Sequence, residues 1–340
     1  MQNYRDYLRV DQYLQDFMQT QMLKGALDNG LIDALIKGPS DFASLQKISA
    51  TDAPGLSFLL KALLHSGVII EAGKHFSLSP DFIEVLPYRS LIEAKIFFAN
   101  LLAPDLLEHL DSLLSDEEKF MQNSHLFELF DYQRALHSTP ENYRFTERWM
   151  KLTSTLTRYE GPACLAHHDF SSYQKIMDIG GNSGEFVLQI TRQYAQLQAI
   201  VIDLPVVCEV GSQHVGNYRE AERIQFIKAD ALTDKLPEEQ CLVSFKSILH
   251  DWPEAACQRF IEQAHSSLKD KGQVLIFERA PIPAFTTSPS YGSLSTLLFF
   301  RSYRPADIYQ NLLTCAGFVD IQIQTIALET PFYLITARKA

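Results

Sequence analysis

The chain predicts an α/β protein in which a parallel sheet covered by helices follows a mainly helical N-terminal region. Three observations carry this. From Tyr173 onward, short apolar runs of strand type alternate with helix-type patterns. The first of those runs ends in a glycine turn, KIMDIGGNSGE (175–185), that opens a helix. The first 95 residues carry apolar positions at three- and four-residue spacing, then two short strand-like runs.

The N-terminal elements come in the order helix, helix, hairpin. DQYLQDFMQTQMLKGALDN (11–29) has helical spacing and stops near Gly30. GLIDALIKGPSDFASLQKIS and APGLSFLLKALLHSG continue the pattern, and VIIEA and HFSLS flank a Gly-Lys turn. This is a winged-helix-like arrangement, which raises DNA binding. The helix LSFLLKALLHSG offers only Lys61 and His65 to a phosphate, and the turn only Lys74 and His75. That is a poor basic face, and the apolar first helix points to subunit contact instead. Residues 96–160 remain helical, with turn signals at Ala103-Pro104-Asp105 and Ser138-Thr139-Pro140-Glu141. Their Phe, Leu, Tyr and Met content suits core packing or the roof of a pocket. In FTERWMKLTST (145–155), Trp149 and Met150 precede Thr153 and Ser154. The expected domains are 1–95, winged-helix-like; 96–160, a helical linker; and 161–340, the sheet domain.

The sheet strands are KIMDI, LQAIVI, RIQFIK, CLVSFKS and QVLIFER, closed by a hairpin of DIQIQTI and FYLITAR. Ligands of such sheets bind outside the carboxyl ends of the strands. At the first end lie Asp178, Gly180, Gly181 and Gly184. Glycines let the backbone turn sharply and a ligand approach without a Cβ in the way, and the helix that follows presents free N–H groups. The dinucleotide fingerprint Gly-x-Gly-x-x-Gly fails, because Asn182 stands where its second glycine should be. The spacing Asp178, Gly180, Asn182, Gly184 instead resembles the S-adenosylmethionine (SAM) loop of class I methyltransferases, with Asn, which tolerates a left-handed backbone, at the middle position. Asp203, nineteen positions after Gly184, ends the second strand and suits ribose hydroxyls. Asp230 ends the third and suits an adenine amino group. His250 follows the fourth strand and precedes a helix that starts near Pro253. An imidazole there can take a proton at neutral pH. Glu278, at the end of the fifth strand, could orient and charge-stabilise it.

Composition excludes several classes. In 340 residues, 46% are hydrophobic and 21% charged, an ordinary globule with room for two domains. The net charge of −11 disfavours nucleic acid as a partner. The opening MQNYRDYLRV lacks a signal-peptide pattern, and no apolar run nears the ~20 residues of a membrane span. Cys164, Cys208, Cys241, Cys257 and Cys315 are scattered, without a CxxC, and read as reduced thiols of a cytoplasmic protein. No metal spacing is present, and His167-His168 reads as surface loop.

Taken together, FKSILHDWPEAAC, MDIGGNSGE, VIDLPVV, KADAL and the strand ending in Glu278 resemble the SAM-dependent small-molecule O-methyltransferases of the plant caffeate and bacterial antibiotic-tailoring type. HDW after the fourth strand is the most specific part, and the resemblance covers nearly the whole chain. It implies a Rossmann-like class I methyltransferase sheet and an N-terminal domain that makes an intertwined homodimer. It also implies SAM as cofactor, with S-adenosylhomocysteine as its product and no metal, and a role in secondary metabolism. Gly180, Gly181 and Gly184 would cradle SAM, with Asp178 at the strand end; Asp203 would bind its ribose and Asp230 its adenine. Lys246 would also contact it, and Ser154 would lie near its methionine end. His250 would deprotonate the acceptor, supported by Glu278; Trp149, Met150, Phe299 and Tyr303 would line the acceptor pocket. One stretch departs from the pattern. Where the family has a Gly-Gly loop and then Glu-Arg-Thr, this chain reads FFRSYRPAD, so Arg304 matches the Arg and Tyr303 stands in place of the second glutamate that flanks the histidine. Two other readings therefore stay open: a SAM-binding relative turned to hydroxylation, decarboxylation or pericyclic chemistry, and a winged-helix DNA-binding regulator. The acceptor and the methylated atom are not specified by these motifs.

Overall fold

The computed structural model describes residues 4–14, 17–282 and 290–340. The chain divides into two compact units, Met1–Pro104 with Phe285–Leu298, and Asp105–Ala284 with Phe299–Ala340.

The N-terminal unit begins with a 3-10 turn, Asp6–Tyr13, followed by α1 (Phe17–Asp28) and α2 (Leu31–Ile36). The continuous helical spacing of 11–29 is thus split between two elements. β1 (Ser40–Asp41), α3 (Phe42–Ser49), α4 (Ala53–His65), β2 (Ile69–Ala72), β3 (His75–Leu78), α5 (Pro80–Val85) and α6 (Arg89–Ser115) follow. α4 starts where the Asp52 side chain accepts from the Gly55 N–H at 2.8 Å. It buries Leu56, Leu59, Leu60 and Leu63, the stripe its spacing announces. β2 and β3 pair antiparallel from Ile69↔Leu78 to Ala72↔His75. Gly73, at φ +64°, supplies the left-handed residue that so tight a turn needs. Lys95 is buried and pairs with Asp11 at 2.6 Å. Phe98 lies in this unit's core, and the Tyr291 hydroxyl donates to Asn100. The helix α6 and a later helix, Pro140–His167, run through the positions 95/96 and 160/161, where the sequence suggests boundaries.

The second unit opens with the end of α6, α7 (Glu117–Asn123), α8 (His125–Glu128), a 3-10 turn Tyr132–Leu136 and the long α9 (Pro140–His167). The sheet elements are β4 (Lys175–Ile179), α10 (Glu185–Gln193), β5 (Gln198–Asp203), α11 (Pro205–Val215), β6 (Ile224–Lys228), β7 (Gln240–Lys246), α12 (Glu254–Ser267), β8 (Leu268–Arg279), then β9 (Phe318–Ala327) and β10 (Pro331–Lys339). The order is β6-β5-β4-β7-β8-β10-β9. β6 through β8 are parallel; β10 runs antiparallel to both neighbours. The chain moves outward from β4 to β6, then crosses to the other side of β4 at β7. The crevice at the carboxyl ends of β4 and β7 is therefore the topological switch point, where ligands of such sheets bind. On one face, Met177, Ile179, Val243, Phe245 and Ile276 pack against Cys257, Phe260, Ile261 and Ala264 of α12. That core fixes the strand ends below the site. Among the described residues, no helix is long and apolar enough to cross a membrane.

Candidate active site

The turn after β4 is built from backbone conformation. Gly180, Asn182 and Gly184 all take positive φ, at +67°, +55° and +73°. Asn182 therefore occupies the left-handed position that its spacing predicts. A Cβ on Gly180 would lie 1.8 Å from Ile248 Cδ1, and one on Gly181 would lie 2.7 Å from Asp178 Oδ2. The Gly180 N–H donates to the Ile202 carbonyl at 2.8 Å, which anchors the turn to β5.

Asp203 closes this loop from the next strand. Its Oδ2 accepts from the Asn182 N–H and its Oδ1 from the Leu204 N–H, each at 2.8 Å. Each carboxylate oxygen has a second lone pair, so capacity remains for hydroxyls. Burial pushes the Asp203 carboxyl up to about 6. Asp178 is fully enclosed, accepts from Ser244 Oγ at 2.6 Å, and is pushed by burial up to about 7. The Asn182 side chain accepts from Thr153 Oγ1 at 3.2 Å, which ties α9 to the loop beside the buried Ser154. Asp230 lies in the turn beyond β6, where its Oδ1 accepts from the Leu232 N–H at 2.9 Å.

Lys246, the last residue of β7, belongs to a second cluster. Its ammonium donates to Glu160 and, at 3.1 Å, to Thr157 Oγ1, both on α9. Arg279 donates to the same Glu160 carboxylate. Burial alone would raise Glu160, but the Arg279 and Lys246 charges outweigh it and hold the carboxyl below its usual range. Burial lowers the Lys246 ammonium.

His250 sits in a 3-10 turn, Leu249–Asp251, directly after β7. Its Nδ1 lies 2.7 Å from Glu278 Oε1, so the pair expected from two separate strand ends is formed. Glu278 is fully buried and also accepts from the Leu249 and Arg279 N–H groups, at 3.0 and 2.9 Å. Arg304 donates to the carbonyls of Leu249 and Trp252 and so clamps the turn from both sides. The rings of Phe299 and Tyr303 meet the imidazole edge-on, with centroids 6.0 and 5.6 Å away. Asp251 Oδ1 is 3.3 Å from His250 Nε2, and Asp251 Oδ2 accepts from the Tyr132 hydroxyl at 3.0 Å. Burial lowers the basicity of His250, but Glu278 and Asp251 outweigh it and the net shift is upward. Burial likewise opposes the Glu278 charge, and His250 overcomes it, leaving that carboxyl lowered. The Tyr303 phenol is raised by burial, so it stays neutral at physiological pH.

Trp149 and Met150 are buried on α9. Trp149 meets Tyr132 edge-on at 5.9 Å, and Tyr132 stacks on Trp252 at 6.3 Å, so this side reaches the His250 turn through two rings. Sequence reasoning missed Asp251, Tyr132, Glu160 and Arg279. Asp251 was adjacent to the histidine and carried a signal. Tyr132 and Glu160 carried none, because their partners lie 119 and 86 positions away. Among the described residues, no group of His, Cys, Asp and Glu side chains could hold a metal ion.

A family model described as the O-methyltransferase domain matches residues 110–319. Over 334 residues the chain is 24% identical to acetylserotonin O-methyltransferase of Bos taurus, covering 93% of each protein. Over a shorter stretch of 125 residues, 37% of this chain and 35% of the other, it is 34% identical to 3-hydroxy-5-methyl-1-naphthoate 3-O-methyltransferase of Streptomyces sahachiroi. The solved structure of human N-acetylserotonin methyltransferase in complex with SAM shares the fold, with a TM-score of 0.74 at 23% identity over 95% of this chain and 94% of that one.

Proposed function

The chain belongs to the O-methyltransferase domain family, and from that premise we propose that it transfers a methyl group from SAM to a hydroxyl of an aromatic or polyketide-like small molecule, with His250 as general base. The observation that carries this reading is the 2.7 Å pair of His250 Nδ1 and Glu278 Oε1 at the switch-point edge, one loop from the glycine turn.

The residues present fit that cofactor. The glycine turn has no room for side chains at Gly180 and Gly181, and the Asp203 and Asp230 carboxylates are acceptors for hydroxyl and amino donors. Gly180, Gly181, Gly184, Asp178, Asp203 and Asp230 would hold it, with Lys246 and Ser154 at its margin. When bound, the cofactor would supply a methyl group on positively charged sulfur for transfer to the acceptor oxygen, the C–S electron pair remaining with sulfur. The chain's own part is to hold the acceptor and take its proton at His250 Nε2. Glu278, fixed by two backbone N–H groups, keeps Nδ1 protonated and stabilises the imidazolium that forms. Base catalysis of this kind contributes roughly 10²–10⁴-fold, and alignment of the reactants more. Trp149, Met150, Phe299 and Tyr303 would line the acceptor side.

The same reading takes residues 1–95 as a winged-helix-like dimerisation domain, 96–160 as the pocket roof and 161–340 as the catalytic domain of a homodimer. Exposed Phe17 and Met18 on α1 support a partner surface. The five unpaired cysteines suit a reducing, cytoplasmic setting. Tyr303 favours a second reading, a SAM-dependent enzyme of another reaction, because it brings no negative charge to the imidazole. Calorimetric titration with SAM and S-adenosylhomocysteine, followed by phenolic acceptor screens, separates the two. His250→Ala is expected to keep micromolar SAM binding and lose methyl transfer by at least 10²-fold. Full turnover in that variant would end the general-base role.

A further inference from the structure

The imidazole lies between two carboxylates that are held in different ways. Glu278 at Nδ1 is fully buried and accepts from two backbone N–H groups as well as from His250. Asp251 at Nε2 has a side chain 25% exposed, and the Tyr132 hydroxyl, 3.0 Å from its Oδ2, holds it from the side away from the imidazole. Tyr132 is itself fixed, stacked on Trp252 with ring planes 18° apart and set edge-on to Trp149. Arg304 clamps the backbone on either side of Asp251, so the turn cannot carry the carboxylate away. Meanwhile Tyr303, buried with its ring edge against His250, occupies the place where the sequence pattern leads one to expect a second acid.

We propose that Asp251, held by Tyr132, is the second negative charge on the catalytic imidazole, delivered at Nε2 in place of a glutamate at Tyr303. The inference rests on His250 acting as the base. When the acceptor's O–H bond breaks, its proton goes to Nε2, and the imidazolium gains one positive charge between two carboxylates. The positive charge that forms then lies beside Asp251 Oδ1, 3.3 Å from Nε2 in the resting turn. Tyr132 is in this scheme a positioning residue: its hydroxyl donates to the far oxygen and so holds the carboxylate beside the ring. The charged and titratable groups around His250 are Glu278 and Arg279 on β8, Glu160 on α9, Tyr303 and Arg304 before the helix Ala306–Cys315, and Asp251 and Tyr132. Of these, Asp251 stands 3.3 Å from Nε2.

The test is an NMR titration of the His250 ring in the full chain, with no methyl donor or acceptor present, using His250→Gln to assign the signal. Asp251→Asn is expected to weaken proton affinity at His250 by about tenfold, since an opposite charge this close shifts a pKa by about a unit or more. Tyr132→Phe keeps the ring stack and is expected to shift it the same way by about threefold. Asp251→Glu is expected to restore part of the wild-type value. An unchanged titration in both Asp251→Asn and Tyr132→Phe, with near-UV circular dichroism showing both folded, overturns the proposal. Because no turnover is measured, failure of the methyl-transfer reading would not register here; it would register in the calorimetry.

Discussion

Two stretches at one edge of the sheet are held in place by different forces. Residues 180–184 keep their shape chiefly through backbone conformation, three positive φ values and glycines with no space for a Cβ, with the neighbouring Asp203 carboxylate closing the loop. Residues 249–252 keep theirs through side chains: Glu278 from β8, Arg304 from before the last helix, and Tyr132 from a turn far upstream. The first device is local and tolerates almost no substitution at its own positions. The second is distributed, so it can be disturbed from many places and repaired from several. The proposed cofactor cradle, which must bind the same way every turnover, suits the first; the proposed base, which must be tuned to its acceptor, suits the second.

The sharpest test of the distributed side is Glu278→Gln. The amide is uncharged, and it must present an NH₂ group to one of the N–H donors that Glu278 now satisfies. Turnover is expected to fall on the order of 10³-fold, about 4 kcal/mol in the barrier. SAM affinity should stay within threefold, because the hydrogen bonds given for Glu278 go to Leu249, His250 and Arg279. Steady-state kinetics at saturating SAM, paired with calorimetry, reads both. A variant within threefold of wild-type turnover would mean the imidazole is oriented by something else.

Gly180→Ala tests the local side. A Cβ there meets Ile248 Cδ1 at 1.8 Å on a residue at φ +67°. The left-handed penalty of about 1–2 kcal/mol adds to an overpacking cost of about 1–3 kcal/mol, for a loss of about 3 kcal/mol in all. Ile248 precedes the His250 turn by one residue, so this change also couples the two stretches. Urea unfolding should show the stability loss. If stability is unchanged, the turn is softer than its geometry implies, and the contrast between the two stretches weakens.

The same contrast explains what could be read from the sequence. The glycine turn was legible because its requirements are met by adjacent residues: Asp178 through Gly184, with Asn182 serving at φ +55°. The parallel sheet and its closing hairpin followed from alternation, and the acids at strand ends from counting. His250 and Glu278 were legible as positions at one edge, and their 2.7 Å pairing is the outcome. Glu160 was not legible. It lies inside α9, where a glutamate is an ordinary helical residue, and only the fold brings Lys246 and Arg279 to it. Tyr132 was equally silent, one aromatic residue among many in a helical stretch. At 95/96, where the sequence suggests a boundary, α6 runs on from Arg89 to Ser115.

The smallest expected effect lies beneath the glycine turn, at Asp178. An ordinary aspartate titrates near 3.9, but burial holds this one up to about 7. In the folded protein it therefore stays protonated over a range where the unfolded chain has already released its proton. Between about pH 4 and pH 7 the unfolded state gains stability from that release, so this group makes folding less favourable as pH rises, and the cost levels off above about 7. Asp178→Asn removes the titration while its side-chain oxygen still accepts from Ser244 Oγ, which sits 2.6 Å from Oδ1. A full span of about three units would correspond to about 4 kcal/mol; relaxation around a buried acid reduces what is realised to about 2 kcal/mol. The variant should thus be the more stable protein at pH 8 by that amount, and the gap should close toward pH 4. Urea titrations at pH 4, 6 and 8 read this directly. A gap that is constant with pH, or a wild type more stable at pH 8, would show that Asp178 is ionised in the folded state and that its charge is part of what holds the turn.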